Sequence, residues 1–273
     1  MPHLNSNGIK IYYEEHGSGA PLLLIMGFTV SAVGWHWNIP TFAQHFRTIA
    51  FDNRGVGRSD KPDVPYSMTM FADDTAGVLY ALRVEQAHVF GISMGGMIAQ
   101  EFTLRYPQRV KTLTLGCTNC GGPNTVLSKD PDVLNMLGNI ASVEVQQAAL
   151  VMTKVAITPW FLQNRLNTLL ELNQLSAQHP TPKHGMVQQM QAILSHDTYE
   201  RLPQIRVPTL VITGKEDGLV PPENSVTLAQ RIPNADLMIL SNASHLFNIE
   251  LPAATADVVT GFIQRQREWT TAP

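Results

Sequence analysis

Hydrophobic positions alternate between short runs and longer stretches through the first part of the chain. The short runs, such as LLLIM at 22–26, have the length of buried strands, and the longer stretches repeat apolar residues with helical spacing. This alternation is typical of an α/β protein, a mostly parallel sheet with helices on both faces. The predicted strands are Ile9–His16, Pro21–Met26, Arg47–Phe51, Ala87–Gly91, Lys111–Leu115, Thr209–Gly214 and Ala235–Leu240. The predicted helices are Met70–Leu82, Gly95–Tyr106, Pro222–Ile232 and Pro252–Gln266.

The strand pattern stops between Gly121 and Arg201, where the residues indicate several helices separated by prolines. It resumes after Arg206 with VPTLVITG. We therefore predict a helical cap over residues 121–200, inserted into a core made of residues 1–120 and 201–273. The alternative is a separate helical domain with its own function, but about 80 residues of moderate apolarity are few for an independent core.

Composition narrows the class of protein. Hydrophobic residues make up 44% of the chain and charged residues 15%, and the net charge is −3, as in a compact globular protein. No basic block is present to neutralise phosphates, so we expect no nucleic-acid partner. No segment approaches the roughly 20 apolar residues that span a bilayer, and the first residues lack the apolar core of a signal peptide, so we expect no membrane partner and a cytoplasmic location.

The two cysteines, Cys117 and Cys120, form a CxxC motif. A zinc site would need a second pair of ligands, and a redox motif would open a helix in a thioredoxin-like unit. Neither context is present in the sequence, so we interpret the cysteines as reduced thiols at the end of a buried strand.

A candidate nucleophile lies in the pentapeptide Gly91-Ile92-Ser93-Met94-Gly95. It follows an apolar strand and precedes a helix, which is the strand-turn-helix context of a nucleophile elbow. The flanking glycines suit a tight turn with a strained central residue. This context predicts that Ser93 is a catalytic serine.

A serine hydroxyl needs a base, and in this arrangement an acid and then a histidine follow it along the chain. Asp217 comes directly after the strand TLVIT, and His245 follows the strand DLMIL. Both therefore lie at the carboxyl ends of strands, where open α/β sheets place their sites. We predict His245 as general base and Asp217 as the residue that orients it, with Glu216 as the close rival to Asp217.

The tetrahedral intermediate of acyl transfer requires backbone N–H donors for its oxyanion. One is predicted at Met94, immediately after the nucleophile. The other is predicted at Phe28, in the loop Met26-Gly27-Phe28-Thr29 that follows the strand LLLIM.

With these motifs the chain resembles the α/β-hydrolase superfamily over its whole length. The resemblance rests on GISMGG, FDNRGVGRSDKP, TGKEDGLVP and SHLFNIELP. It implies that Asp52, Arg54 and Ser59 belong to a structural loop rather than to the chemistry. One departure is Met26-Gly27, where many members carry His-Gly, so the support of the oxyanion loop differs here.

A serine in the elbow separates the chain from the epoxide-hydrolase and haloalkane-dehalogenase branches, whose elbow carries aspartate. It most resembles the branch that includes 3-oxoadipate enol-lactonases and serine-type N-acyl-homoserine lactone hydrolases. The resemblance implies hydrolysis of a small ester or lactone through an acyl-enzyme, without metal or organic cofactor. The sequence leaves the oligomeric state open.

The predicted cap carries four basic and six acidic side chains, which disfavours a dianionic substrate. Its apolar side chains could line a pocket for an acyl chain or could simply pack the cap helices together. The candidate substrate contacts are Gly27, Trp160, Phe161 and Met186.

Other functions use the same three residues. A carbon–carbon bond hydrolase or a cofactor-free haloperoxidase has the same motifs as an esterase. Receptors of this fold that keep the triad bind a ligand and a partner protein instead of turning over substrate. Turnover of a simple aryl ester would favour the enzyme over the receptor.

Overall fold

The computed structural model describes the backbone of residues 2–271 and the side chains of residues 2–266. Its strands form one eight-stranded sheet in the order β1-β2-β4-β3-β5-β6-β7-β8. β1 and β2 are antiparallel, β2 is antiparallel to β4, and the remaining neighbours are parallel. The strands are β1 His3–Ser6, β2 Ile9–His16, β3 Pro21–Ile25, β4 Arg47–Phe51, β5 Ala87–Ile92, β6 Val110–Gly116, β7 Thr209–Gly214 and β8 Ala235–Leu240.

Helices connect the parallel strands, and two more follow β8. They are α1 Ile39–Phe42, α2 Met68–Ala81, α3 Met94–Arg105, α4 Pro131–Gly138, α5 Val145–Ala156, α6 Pro159–Asn164, α7 Leu166–Ala177, α8 Lys183–Leu194, α9 Glu223–Arg231, α10 Phe247–Glu250 and α11 Pro252–Thr271. None of the helices within the described residues is long and apolar enough to cross a membrane.

The sheet separates two hydrophobic clusters, because successive side chains of a strand point to opposite faces. In β3, Leu23 and Ile25 join the cluster that contains α2, α3 and α9, whereas Leu22 and Leu24 join the cluster that contains α1, α10 and α11. Burial on both faces explains why strands such as β3 and β7 are nearly continuous apolar runs, whereas β8 at the edge of the sheet is mostly exposed. The predicted α/β hydrolase architecture is confirmed.

The segment between β6 and β7 contains α4 to α8, in agreement with the predicted run of helices. We refer to residues 121–200 as the cap segment; its division from the core as a helical cap stays a prediction. The chain re-enters the sheet through the short helical turn Tyr199–Gln204, which precedes β7. The loops that carry the predicted site residues follow the carboxyl ends of β3, β5, β7 and β8.

Candidate active site

Ser93 lies in the turn between β5 and α3 with φ 57° and ψ −122°, a conformation that is strained for a residue with a side chain. Its N–H donates to Gly116 O at 2.8 Å, which ties the turn to β6. A Cβ on Gly91 would overlap Gly95 O, and one on Gly95 would overlap Ile25 O. The two glycines are therefore required by close backbone approach, and the turn holds Ser93 at the sheet edge.

Asp217 and His245 come from the loops after β7 and β8 and meet at this edge. His245 Nδ1 lies 2.8 Å from Asp217 Oδ2, and both side chains are buried. The other carboxylate oxygen, Oδ1, accepts the N–H groups of Leu219 at 3.0 Å and Val220 at 2.8 Å. Asp217 is thus fixed from both sides, whereas its predicted rival Glu216 is exposed.

The electrostatics of the pair favour the charged imidazole. Burial alone lowers the pKa of His245, but the Asp217 carboxylate outweighs burial and raises this pKa well above its usual value of about 6.5. An imidazolium that is stabilised in this way is the species that forms when the histidine takes a proton from a serine.

Cys117 contacts the other side of the imidazole. Its Sγ lies 4.0 Å from His245 Nε2, and Cys117 also lies against the backbone of Ser93. Among the described residues, no hydrogen bond joins Ser93 Oγ to Nε2.

Both cysteines are buried and free, in agreement with the sequence interpretation, and they belong to different hydrophobic clusters. Burial raises the pKa of Cys117, so the thiol is neutral near pH 7 and a poor nucleophile. Ligand atoms of Cys117, Asp217 and His245 lie within 4.8 Å of one another. Asp217 Oδ2 and His245 Nδ1 bond to each other at 2.8 Å, and Asp217 Oδ1 accepts two backbone N–H groups. Of these three residues, only Cys117 Sγ and His245 Nε2 then stay uncommitted, fewer than the three protein ligands typical of catalytic zinc.

The predicted oxyanion loop lies against the nucleophile. A Cβ on Gly27 would lie 3.0 Å from Ser93 Cβ and 3.5 Å from Ser93 Oγ. Within residues 2–271, no protein acceptor takes the N–H of Phe28 or of Met94. Two uncommitted donors therefore flank the serine, as an oxyanion site requires.

Support for this loop comes from the segment after β4. Asn53 Nδ2 donates to Met26 O at 2.9 Å, and the buried Asp52 accepts the N–H groups of Ala32 at 2.8 Å and Arg58 at 2.7 Å. Buried Arg54 pairs with Asp74 of α2. These contacts agree with the structural role predicted for the FDNRGVGRSD segment.

Two buried polar residues near the site were not singled out from the sequence. Glu250 of α10 accepts from Thr158 N and Thr158 Oγ1, both at 2.7 Å, and from Ser244 N at 2.6 Å, so it links the cap segment to the residue before His245. Gln189 of α8 contacts the oxyanion loop through Thr29 N at 2.9 Å. In the sequence, an isolated polar residue in a helical run looks the same whether it makes a buried contact or faces solvent.

The predicted substrate contacts occupy different environments. Trp160 is 62% exposed, whereas Phe161 is buried in a small cluster with Ile157, Leu169 and others. Met186 is fully buried in the main cluster. For Phe161 and Met186, packing between elements accounts for the burial, and the assignment of these residues to a substrate pocket stays a prediction.

The fold and this constellation are those of α/β hydrolases, and the chain belongs to that family. A family profile described as alpha/beta hydrolase fold matches residues 20–252. Among individual proteins, the chain is 34% identical over 265 residues to RutD of Azorhizobium caulinodans, named as a carbamate hydrolase, with 96% of this chain and 98% of RutD covered.

Two solved structures have related activities in their descriptions. Est816, described as an N-acyl homoserine lactone degrading enzyme, is 30% identical with a TM-score of 0.82, over 96% of this chain and 100% of Est816. The enol-lactonase from Burkholderia xenovorans is 26% identical with a TM-score of 0.87, over the same shares of the two chains. These similarities place the chain among hydrolases of this fold.

Proposed function

We propose that the chain hydrolyses uncharged carboxylic esters or lactones through an acyl-enzyme on Ser93. The observation that carries this proposal is the 2.8 Å contact between Asp217 and His245, beside a serine held in a strained turn. Two uncommitted N–H groups lie on the same side of the sheet edge. Nucleophile, base, orienting acid and oxyanion donors are the parts that acyl transfer needs.

In the proposed mechanism, Ser93 Oγ attacks the substrate carbonyl while His245 Nε2 accepts the hydroxyl proton. Asp217 keeps the Nδ1–H tautomer and stabilises the imidazolium. The N–H groups of Phe28 and Met94 donate to the oxyanion. Collapse of the tetrahedral intermediate expels the alkoxide, which takes the proton from His245, and water activated by the same histidine then hydrolyses the acyl-enzyme.

The charges of the cap segment support an uncharged substrate. Two of its four basic side chains are engaged with carboxylates: Lys154 lies 3.0 Å from Asp132, and Lys183 lies 2.6 Å from Glu144. Paired cations bind a substrate carboxylate weakly, because the partner carboxylate competes for them. Similarity to Est816 favours an N-acyl-homoserine lactone as the substrate type, with an acyl chain in apolar surroundings.

Similarity to RutD supports a second candidate, the hydrolysis of a carbamate. The same residues would serve, because a carbamate carbonyl also passes through a tetrahedral intermediate on the serine. The two candidates differ in the group transferred to Ser93, an acyl chain or a carbamoyl group, and the choice of substrate separates them.

The test is kcat/KM for an acyl-chain series of N-acyl-homoserine lactones, matched p-nitrophenyl esters, a carboxylate-bearing lactone, a carbamate and a β-diketone. We expect the uncharged lactones and esters to react best, with a gain of up to about fourfold per methylene until the pocket ends. Ser93→Ala is the control and should abolish each activity. A preference for the carboxylate-bearing lactone, or no effect of chain length, would contradict the substrate assignment. Faster turnover of the carbamate would assign carbamate hydrolysis. Faster turnover of the β-diketone would assign carbon–carbon bond hydrolysis.

A further inference from the structure

Two side chains of the cap segment bond to the oxyanion loop, and the buried one is Gln189. Gln189 of α8 is fully buried, and its Oε1 accepts the N–H of Thr29 at 2.9 Å. Its Nε2 donates to Arg54 O at 3.1 Å. One amide therefore joins the cap segment to the loop after β3 and to the segment after β4.

The loop needs this support because its backbone is strained. Thr29 has φ 59°, in the left-handed region that β-branched residues rarely adopt. Its C=O accepts from Thr181 Oγ1 of the cap segment at 3.0 Å, and its own Oγ1 donates to Phe28 O at 2.7 Å. Both backbone groups of Thr29 thus bond to the cap segment, and these two bonds help to hold the strained conformation.

The bonds of Thr29 constrain the backbone beside the Phe28 donor, whose own peptide unit makes one long bond, from Val30 N to Gly27 O at 3.4 Å. The Thr29 N–H and the Phe28 C=O belong to one planar peptide unit. A hydrogen bond to this N–H therefore fixes the orientation of the peptide plane between Phe28 and Thr29. The other donor, Met94 N–H, starts α3 and is fixed by the elbow itself. Of the two oxyanion donors, only Phe28 depends on contacts that reach across from the cap segment.

We propose that Gln189 is a positioning residue that aligns the Phe28 N–H with the oxyanion, so that the packing of α8 on the core controls the strength of the oxyanion site. This inference rests on the proposed acyl-transfer function. Gln189 acts in the transition state through Phe28 and does not itself contact the reacting atoms.

The variant that tests this inference is Gln189→Met, which keeps the length of the side chain and removes both hydrogen bonds. Gln100→Met is the matched control. Gln100 is also fully buried and also makes two bonds, from Nε2 to Asn119 O at 2.9 Å and from Thr198 Oγ1 to Oε1 at 2.7 Å, but it does not touch the oxyanion loop.

Three measurements are made on each protein. The first is the fraction of active sites labelled by a fluorophosphonate, and the second is kcat and KM for a p-nitrophenyl ester. The third is the inhibition constant of a boronic acid that forms a tetrahedral adduct with serine. For Gln189→Met we expect kcat and boronic acid affinity to fall together by about tenfold or more, with KM changed by less than about twofold. Gln100→Met should lose stability to a similar extent and keep its kcat per labelled site.

An unchanged kcat in Gln189→Met, or an equal loss in Gln100→Met, would overturn the inference while leaving the proposed function intact. Failure of the wild-type protein to react with the fluorophosphonate would overturn the proposed function and the inference with it. If Gln189→Met does not fold, Thr181→Val removes the second contact to Thr29 at a partly exposed position. It should lower kcat in the same direction by a smaller factor, and an unchanged kcat in that variant would also refute the inference.

Discussion

Replacement of Asp217 by Asn tests the orientation of the histidine in isolation. Asp217 Oδ1 accepts two backbone N–H groups, from Leu219 and Val220. An amide at this position must keep its oxygen there, because its NH2 group would face two other donors. The NH2 group of the amide then faces His245 Nδ1, which must become an acceptor. The proton of the neutral imidazole moves to Nε2, the nitrogen that has to accept the proton of Ser93.

The expected loss follows from this tautomer change. Triads in which the acid is replaced by its amide lose on the order of 10³ to 10⁴ in kcat, which corresponds to roughly 4 to 5.5 kcal/mol of transition-state stabilisation. Stability should change little, because each polar atom of the new amide has a partner. The loss of activity should therefore come without a comparable drop in the midpoint of thermal unfolding.

The assay is kcat for a p-nitrophenyl ester together with the thermal midpoint, for Asp217→Asn and for Glu216→Gln. Glu216 is exposed, so its amide variant is the control and should retain nearly wild-type kcat. A loss of less than about tenfold in Asp217→Asn, or a larger loss in Glu216→Gln, would refute the assignment of the acid.

Three further predictions concern the pH dependence of the rate and the stability contributed by two buried polar residues. The rate should rise with pH through one ionisation well above 6.5, because Asp217 raises the pKa of His245 and the base must be neutral to act; a pH–rate profile that is flat across neutral pH would exclude a histidine base. Glu250→Gln should lower the free energy of unfolding in urea by about 2 to 4 kcal/mol, because one amide oxygen cannot serve donors on both sides; a change below about 0.5 kcal/mol would contradict this. Burial lowers the pKa of His196 to about 4, so the folded state binds fewer protons than the unfolded state between that value and about 6.5. Stability should fall as the pH drops through this window, by up to about 3 kcal/mol in total, and His196→Gln should make that fall shallower in urea titrations at several pH values.

The fold could be predicted from the sequence because its strongest signals are long or repeated. All seven predicted strands agree with the observed strands within one residue at each end. Buried parallel strands such as β3 and β7 are nearly continuous apolar runs, which makes them easy to recognise in the sequence. The first strand, His3–Ser6, was missed because four mostly polar residues at an edge show no periodicity. The observed helix starts differ from the predicted starts by up to two residues. For example, α2 begins at Met68, because the side chain of the N-cap residue Ser67 accepts the N–H of Met70.

Candidate site residues could be proposed from the sequence where they lie in recognisable motifs. Chain order and strand ends predicted Ser93, Asp217 and His245, and the structure places them after β5, β7 and β8, with Asp217 and His245 in contact. The contacts of Gln189 and Glu250 were not predictable, because each joins segments far apart in the sequence and depends on how the cap segment packs. The same holds for Cys117, whose contact with His245 Nε2 arises because the end of β6 lies beside the loop after β8.

Covalent labelling of the serine tests the central claim most directly. The wild-type protein and Ser93→Ala are incubated with a fluorophosphonate near neutral to mildly alkaline pH, and the intact mass and the modified peptide are then determined. We predict one adduct per wild-type chain, located on Ser93, and none on the Ser93→Ala variant. A wild-type protein that stays unlabelled, or a variant that is labelled to the same extent at another residue, would contradict the assignment of Ser93 as the nucleophile.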